Sequence, residues 1–252
     1  MLHCGLRFLV LSVCLVATGG LGTAGQASSR VKTTDVKVGS GHKATPGDLV
    51  TVLYEGSLAD GTVFDSNFAK DSNTLSFVLG RGDVIKGWDD GVAGMAKGGE
   101  RKLVIPPSLG YGDKQHGNIP ANSTLYFTVR CLDIVKVGEE NVFDKVEVKA
   151  GKGAVARKGM TVTVDYVGKL LNGKVFDSTY ETKKPVSFTL GAGEALNAID
   201  MGVTGMRVGG ERILRLPPAL AFGSAGNPLR GVPANAVVLY DIVLRKVKKA
   251  KR

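Results

Sequence analysis

The stretch Gly47-Asp-Leu-Val-Thr-Val-Leu-Tyr54 recurs 112 residues later as Gly159-Met-Thr-Val-Thr-Val-Asp-Tyr166. A second pair of segments, Gly61-Thr-Val-Phe-Asp-Ser66 and Gly173-Lys-Val-Phe-Asp-Ser178, has the same offset. Solenoid repeats have periods of about 20 to 50 residues, whereas a period near 112 matches the usual size of an independent domain. The sequence therefore predicts two copies of one domain.

The spacing of the matched segments also predicts the domain boundaries. We expect the first domain to span residues 31–137 and the second to span residues 142–247, followed by a short basic tail, residues 248–252. The connection between the two copies is too short to act as a flexible spacer. The domains are therefore expected to be close neighbours.

Within each copy, short segments alternate apolar and polar residues, which is typical of half-buried strands. In the first copy these segments are residues 50–54, 75–79, 100–105 and 124–129. Glycine and proline mark the turns between them. One short helix is predicted over residues 84–94 and its counterpart over residues 195–205. The expected fold class is α+β, with a curved antiparallel sheet that buries one face on a short helix in each domain.

The first 25 residues have the features of a secretory signal peptide. One basic residue, Arg7, precedes an apolar run over residues 8–17 and a stretch of small residues over 18–25. The apolar run is shorter than the roughly 20 residues that a membrane span requires, so we expect cleavage and a mature chain without a span. Cleavage leaves Cys131 as the one remaining cysteine, which is expected to be a buried structural thiol.

Charge is concentrated at the other end of the chain. The formal net charge is +10, and residues 245–252 contain six Lys and Arg side chains. A short basic terminus is either solvated or available to contact a polyanion, and the sequence leaves both open.

Conventional catalytic motifs are not found in this sequence. It has no supported Ser-His-Asp set, no phosphate-binding loop and no Cys-x-x-Cys pair, so we expect neither a cofactor nor a metal site. A set of largely apolar and aromatic residues, expected on loops beside the sheet, stands out instead. Taken singly, most of these residues would be assigned to the core. The set is Tyr54, Phe64, Asp65, Val84, Ile85, Trp88, Tyr111, Ile119 and Phe127.

The order of the motifs resembles the FKBP family of immunophilin peptidyl-prolyl cis-trans isomerases. These motifs are Tyr-x-Gly, D-G-x-x-F-D-S, V-I-x-G-W, P-P-x-x-x-Y-G and I-P-A-N. The resemblance extends over both copies and implies a half-barrel sheet wrapped on a short helix. It also implies a shallow pocket that accepts a proline ring or a rapamycin-type macrolide.

The resemblance assigns roles to the residues of the first pocket. Trp88 is implied to be its floor, while Asp65 and Tyr111 supply polar groups. Ile85 is also implied to offer its backbone N–H to a substrate carbonyl. The implied walls are Tyr54, Phe64, Val84, Ile85, Ile119 and Phe127.

The second copy departs from this pattern. It keeps Tyr166, Phe176 and Asp177, but Ile199 stands at the position of the tryptophan floor and Phe222 at the position of Tyr111. The remaining positions are occupied by Ala195, Leu196, Val232 and Tyr240. Since Trp to Ile removes a large flat surface, we expect weak or no isomerase activity and poor macrolide affinity there. Peptide binding or packing between the domains is its expected use.

The functional hypothesis is a monomeric folding enzyme that isomerises X-Pro bonds of proline-containing client polypeptides and is inhibited by rapamycin-type macrolides. Two alternatives stay open: a non-catalytic peptide-binding chaperone or scaffold, and an assembly factor directed by the basic terminus. The signal peptide predicts the secretory pathway, with the endoplasmic reticulum lumen ahead of secretion, a periplasm-like space or a plastid lumen. Asn122-Ser-Thr124 is a glycosylation sequon, and a glycan on Asn122 would lie near the pocket rim.

Overall fold

A computed structural model describes residues 30–68 and 74–249 of the chain. The predicted signal peptide, residues 1–25, and residues 250–252 of the predicted tail lie outside the described residues. Across the described ranges, no helix combines the length and apolar character that a membrane span requires.

The first domain consists mainly of antiparallel strands. Its elements are β1 (Lys32–Lys37), β2 (Ser40–Lys43), β3 (Leu49–Ser57), β4 (Val63–Ser66), β5 (Leu75–Val78), α1 (Lys86–Val92), β6 (Ala96–Lys97), β7 (Glu100–Ile105) and β8 (Leu125–Val135). The main sheet has the order β1-β7-β8-β3-β4, and β5 pairs with the part of β3 that β4 leaves unpaired. Strands β2 and β6 form a small separate ladder.

The second domain repeats this topology. Its elements are β9 (Asp144–Lys149), β10 (Thr161–Leu170), β11 (Val175–Ser178), α2 (Thr179–Thr182), β12 (Val186–Thr189), α3 (Asn197–Val203), β13 (Glu211–Leu216) and β14 (Val238–Lys248). The sheet order is β9-β13-β14-β10-β11, with β12 paired to β10. Each strand corresponds to one in the main sheet of the first domain, so the duplication and the α+β class are confirmed.

Both predicted helices are present but shorter than expected. Helix α1 begins after Ile85 and ends before Ala93, because both flanking residues have extended ψ angles of 146° and 136°. Helix α3 is limited in the same way by Leu196 and Thr204. Ile85 and Leu196 are therefore N-cap residues: their carbonyl oxygens accept the first helical hydrogen bonds, while their backbone N–H groups lie outside the helical pattern.

Helix α1 packs against β7 through two glycines. A Cβ atom on Gly87 would lie 2.3 Å from a side-chain carbon of Ile105, and one on Gly91 would lie 2.9 Å from Leu103. Only glycine allows the helix axis to come this close without displacing buried side chains. The close approach directs the neighbouring Trp88 side chain into the core, where it is 3% exposed.

Cys131 lies on β8 and is fully buried, as the sequence predicted. Burial raises the pKa of its thiol to about 12. Since the thiolate is the reactive form of cysteine, this side chain is an inert part of the core near neutral pH.

The basic end of the chain starts within the sheet. Strand β14 extends one residue into the segment predicted as a tail, and Lys246 and Lys248 pair across the ladder with Thr163 and Thr161. Arg245 donates from Nε to a carboxylate oxygen of Asp165 at 2.6 Å. Much of the basic segment is therefore structural.

A buried polar cluster joins the two domains. Asp241 on β14 accepts hydrogen bonds from the backbone N–H and the hydroxyl of Thr74 in the first domain, at 2.7 and 2.8 Å. Lys169 on β10 pairs with Asp241 at 2.9 Å and donates to both the carbonyl and the hydroxyl oxygen of Thr74. Burial lowers the pKa of Lys169, while the neighbouring carboxylate opposes that shift. We call these three residues the interdomain clamp.

A second contact lies beside the clamp. Arg215 of β13 is 3.8 Å from a carboxylate oxygen of Asp133 in the first domain, and both side chains are nearly buried. Arg215 also donates to the carbonyl oxygen of Val142, in the short connection that leads into the second domain. As the sequence predicted, the two domains are close neighbours.

We expect Asp241→Asn to lower the free energy of unfolding by about 3–5 kcal/mol, because it leaves the Lys169 ammonium buried without a countercharge. The double variant Lys169→Met/Asp241→Asn removes the uncompensated charge and should recover part of that loss. Urea unfolding followed by circular dichroism measures both effects.

The control for this experiment is an exposed ion pair. Lys149 and Glu211 are 3.4 Å apart on neighbouring strands and the lysine is 44% exposed. Lys149→Met should therefore change the unfolding free energy by less than about 1 kcal/mol. Equal losses in Asp241→Asn and Lys149→Met would contradict the assignment of the clamp.

Candidate functional site

Aromatic side chains of the first domain converge on Trp88. Its ring centroid lies 5.1 Å from that of Tyr54 on β3 and 5.2 Å from that of Phe127 on β8, both in edge-to-face geometry. Phe77, on β5, contacts it at 5.8 Å from the other side. Such edge-to-face pairs contribute about 0.5–1.5 kcal/mol each beyond area burial. Three strands and one helix thus hold the indole as a rigid surface.

A glycine on β3 makes room for the wall of this cluster. Gly56 lies opposite Phe127 on β8 and opposite Asp65 on β4. A Cβ atom at this position would be 2.6 Å from the ring of Phe127 and 2.7 Å from that of Phe64. In the second domain, Gly168 has the same relation to Phe176 and Tyr240. The Tyr-x-Gly motif of both copies therefore serves to pack two aromatic rings over one strand.

The polar edge of the cluster is a tyrosine paired with a carboxylate. The hydroxyl of Tyr54 donates to Asp65 Oδ2 at 2.5 Å. Burial, together with this hydrogen bond and the nearby negative charge, raises the pKa of Tyr54 well above its usual range. The Tyr54 hydroxyl therefore remains a neutral hydrogen-bond donor. Asp65 is exposed and lies at the mouth of the site.

Loop residues complete the rim. Val84 and Ile85 precede α1 and are partly buried, and the backbone N–H of Ile85 donates to no acceptor among the described residues. Ile119 is 4% exposed and bridges to His116 through two backbone hydrogen bonds of 2.9 Å. The ring of Tyr111 stacks on His116 at 4.2 Å with an interplanar angle of 5°. Sequence reasoning missed His116, because a single histidine in a loop carries no motif.

The structure brings the predicted first-domain residues together. Eight of them belong to, or pack against, one hydrophobic cluster, and Asp65 joins it through Tyr54. The expectation that they lie on loops is wrong for most of them, since the main-sheet strands and α1 carry five. Those five are Tyr54, Phe64, Asp65, Trp88 and Phe127. Phe64 and Asp65 belong to the edge strand β4, which pairs with β3 and lies outside the predicted strand segments.

The equivalent residues of the second domain also form one cluster. Ile199 is the counterpart of Trp88, and a cavity of about 360 Å³ lies next to it. The hydroxyl of Tyr166 donates to Asp177 Oδ2 at 2.7 Å, and burial followed by this hydrogen bond raises the pKa of Tyr166 to about 12. The other predicted residues in or against the cluster are Phe176, Ala195, Leu196, Phe222, Val232 and Tyr240.

Arg230 is a feature of the second site that sequence reasoning missed. It lies in a 3₁₀ turn over Pro228–Arg230, and its guanidinium donates to Asp177 Oδ2. At the offset of 113 residues that relates Ile119 to Val232, the first domain has Gly117. Comparison of the two repeats could have identified the change from glycine to arginine. It could not have predicted that the Arg230 side chain reaches Asp177, a carboxylate 53 residues away.

Within the described ranges, no group of three or more His, Cys, Asp and Glu side chains is arranged to hold a metal ion. Both sites are instead apolar clusters with a few polar groups at the mouth. An apolar lining with a few placed polar groups is typical of ligand-binding pockets.

Comparison with known proteins gives matches over both domains. The model of the family described as FKBP-type peptidyl-prolyl cis-trans isomerase matches residues 40–132 and 152–245. Human peptidyl-prolyl cis-trans isomerase FKBP9 is 35% identical over 203 residues, which cover 79% of this chain and 34% of that protein. Bovine peptidyl-prolyl cis-trans isomerase FKBP10 is 35% identical over 222 residues, which cover 85% and 37%.

A fungal relative is more similar over a shorter region. FK506-binding protein 4 of Aspergillus fumigatus is 50% identical over 117 residues, or 46% of this chain and 23% of that protein. The chain spans only about a third of the length of the first curated relatives that it matches.

Trp88 is the single tryptophan of the sequence, so its fluorescence reports on the first site alone. We expect blue-shifted emission and weak quenching by acrylamide in the native chain, because the indole is 3% exposed. Unfolding in urea should shift the emission to the red. The control is Tyr126→Trp in a Trp88→Phe chain, because Tyr126 is 38% exposed and its replacement should be readily quenched. Equal quenching of both chains would contradict the placement of Trp88.

Proposed function

Because the chain belongs to the FKBP family of peptidyl-prolyl cis-trans isomerases, we propose that it accelerates cis-trans isomerisation of X-Pro bonds, mainly through its first domain. The observation that carries this proposal is the rigid aromatic floor at Trp88, bounded by Tyr54 and Phe127. Its substrates are proline-containing client polypeptides. Rapamycin-type macrolides are its inhibitors.

The chemistry of the reaction fits this site. Rotation about a peptide bond faces a barrier of about 18–20 kcal/mol, which arises from amide resonance. The twisted transition state has less resonance and less charge separation than the planar amide. A water-poor apolar pocket therefore stabilises it relative to the ground state. No group has to be deprotonated, which agrees with the raised pKa values of Tyr54 and Tyr111.

Each part of the first site has a role in this proposal. The proline ring lies on Trp88, between the walls formed by Phe64 and Phe127. The carbonyl before proline accepts a hydrogen bond from the backbone N–H of Ile85, which has no other acceptor among the described residues. Asp65 and Tyr111 contact the flanking chain at the mouth. Val84 and Ile119 close the apolar surface around the ring.

In the second domain we propose peptide binding with little or no isomerase activity. Ile199 offers a smaller surface than an indole, and the cavity beside it holds about 360 Å³. The polar residues that join the domains, the interdomain clamp and Arg215, do not line this cavity. This arrangement favours peptide binding over domain packing as the use of the second pocket.

The second pocket also supports an alternative function, a chaperone or scaffold that holds peptides without catalysis. Leu229 beside this pocket is completely exposed, which suits an apolar contact with a bound chain. An assembly factor directed by the basic terminus has less support, because Arg245 is paired with Asp165 and β14 includes Lys246 and Lys248.

We place the protein in the secretory pathway, with the endoplasmic reticulum lumen as the first choice. The support is the signal-like sequence of residues 1–25. Asn122 of the sequon is exposed in the turn before β8, where its backbone N–H bonds to Gly112 of the Tyr111 loop. A glycan there would flank the mouth of the first pocket.

The test is an isomerisation assay on a short X-Pro peptide with the chain lacking residues 1–25. We expect macrolide-sensitive activity that falls at least about tenfold in kcat/KM in Trp88→Leu, since about 1.4 kcal/mol of transition-state stabilisation corresponds to that factor. The activity left in this variant is an upper limit for the second domain. A folded but inactive chain would reject the enzyme and favour the peptide-holding alternative.

Neighbouring residues of β8 provide a matched control. Phe127 is 5% exposed and belongs to the pocket, whereas Tyr126 is exposed on the opposite face of the same strand. Phe127→Leu should reduce activity strongly, while Tyr126→Leu should leave it within about twofold, a difference below about 0.5 kcal/mol. Unfolding curves of both variants establish that the comparison concerns folded chains.

A further inference from the structure

We propose that Arg230 makes the second pocket selective for peptides that carry an acidic side chain next to the apolar residue that fills it. The occupant is an extended peptide segment with a glutamate or aspartate beside proline. This inference rests on the proposed peptide-binding role of the second domain and is independent of isomerase activity in the first.

The cavity combines an apolar interior with a charged mouth. Ile199, Phe188 and Ile242 contribute to the lining, as does the ring of Tyr240. The charged side chains that line it are Asp177, Glu194 and Arg230. Glu194 Oε2 accepts a hydrogen bond from the backbone N–H of Thr189 at 2.9 Å, which holds that carboxylate against its own loop. Arg230 is the lining residue that offers hydrogen-bond donors with positive charge.

The turn that carries Arg230 is fixed at its base. The backbone N–H of Arg230 donates to the side chain of Asn227 at 3.3 Å. Asn227 and Val232 close the loop with two backbone hydrogen bonds of 2.9 Å, and Gly231 between them has a φ of 66°. The backbone position of Arg230 is therefore set by the fold, and its salt bridge with Asp177 directs the guanidinium.

The guanidinium keeps donors available for a ligand. Asp177 is the one carboxylate paired with Arg230 among the described residues, and the bond uses Nη1. The side chain remains 46% exposed. Because a guanidinium has several N–H groups in a planar fork, it binds a second carboxylate without giving up the first.

A second cation lies beside the same loop. A Cβ atom on Gly231 would be 3.4 Å from the ammonium of Lys174, which is exposed in the turn between β10 and β11. No carboxylate within the described part of the chain forms a salt bridge with Lys174. Two cations, Arg230 and Lys174, therefore lie at this mouth beside the carboxylates of Asp177 and Glu194.

The first pocket has the opposite character. Asp65 accepts a hydrogen bond from Tyr54, and no described cation forms a salt bridge with it. The loop that corresponds to the Arg230 turn carries Gly117, and its neighbour His116 stacks on Tyr111. At the first mouth Asp65 therefore has no cationic partner among the described residues. At the second mouth the corresponding carboxylate, Asp177, is paired with Arg230. The two domains would accordingly bind different proline-containing sequences.

The test compares two peptides that differ only in glutamate or glutamine before proline. Binding is measured by fluorescence anisotropy of labelled peptides with the whole chain carrying Trp88→Leu, so that the second pocket dominates. We expect the glutamate peptide to bind about five to ten times more tightly at low salt, as for a charge-assisted and partly exposed contact. This preference should shrink in high salt, since the charges are partly exposed.

Arg230→Gln is the diagnostic variant. It should abolish the preference for glutamate, so that the two peptides bind alike, and Arg230→Lys should keep part of the preference. Equal binding of both peptides to the parent chain, or a preference that survives Arg230→Gln, would overturn the proposal. So would the absence of binding by either peptide. If the chain with Trp88 intact is still an active isomerase, the proposed function of the first domain stands and only the inference about the second pocket fails.

Discussion

The structure depends on the close contact between a short helix and the sheet behind it. At Gly91 in the first domain and Gly202 in the second, an added Cβ atom would lie within 3 Å of a buried leucine side chain. A helix of seven residues has little stability of its own, so its position is fixed by this packing. The contact aims one side chain of each helix, Trp88 or Ile199, at the aromatic residues of the sheet. The floor of each site follows from that geometry.

The two domains show how one scaffold supports two different pockets. The strand order, the Tyr-x-Gly motif and the tyrosine-carboxylate pair are retained in both. The pocket positions that differ are the residue that the helix presents, the two residues before the helix, Tyr240 on the last strand and the loop before that strand. Because that loop lies outside the ladder, Arg230 could be introduced without disturbing the sheet.

The sequence was sufficient for the repeat and the fold class, because these depend on spacing and on local alternation of apolar residues. The membership of both clusters was predicted from the order of the motifs, through their resemblance to the FKBP family. Strand β7 agrees with its predicted segment, residues 100–105. Local pattern did not predict β4, because this strand of four residues is stabilised by pairing with β3. It also failed for Arg230 and for the interdomain clamp, since their partners lie 53 or more residues away. No periodicity in the chain encodes which distant group a polar side chain will reach.

The interdomain clamp shows why such long-range polar contacts are retained. Removing Lys169 and Asp241 from water is unfavourable, and apolar residues of similar volume often give equal or greater stability. An apolar contact, however, permits several orientations of two domains, whereas the clamp requires Thr74 to present its N–H, hydroxyl and carbonyl together. Meeting these three demands restricts how the two domains can be arranged. The clamp therefore constrains the orientation of the domains, and with it the relation between two pockets of different electrostatic character.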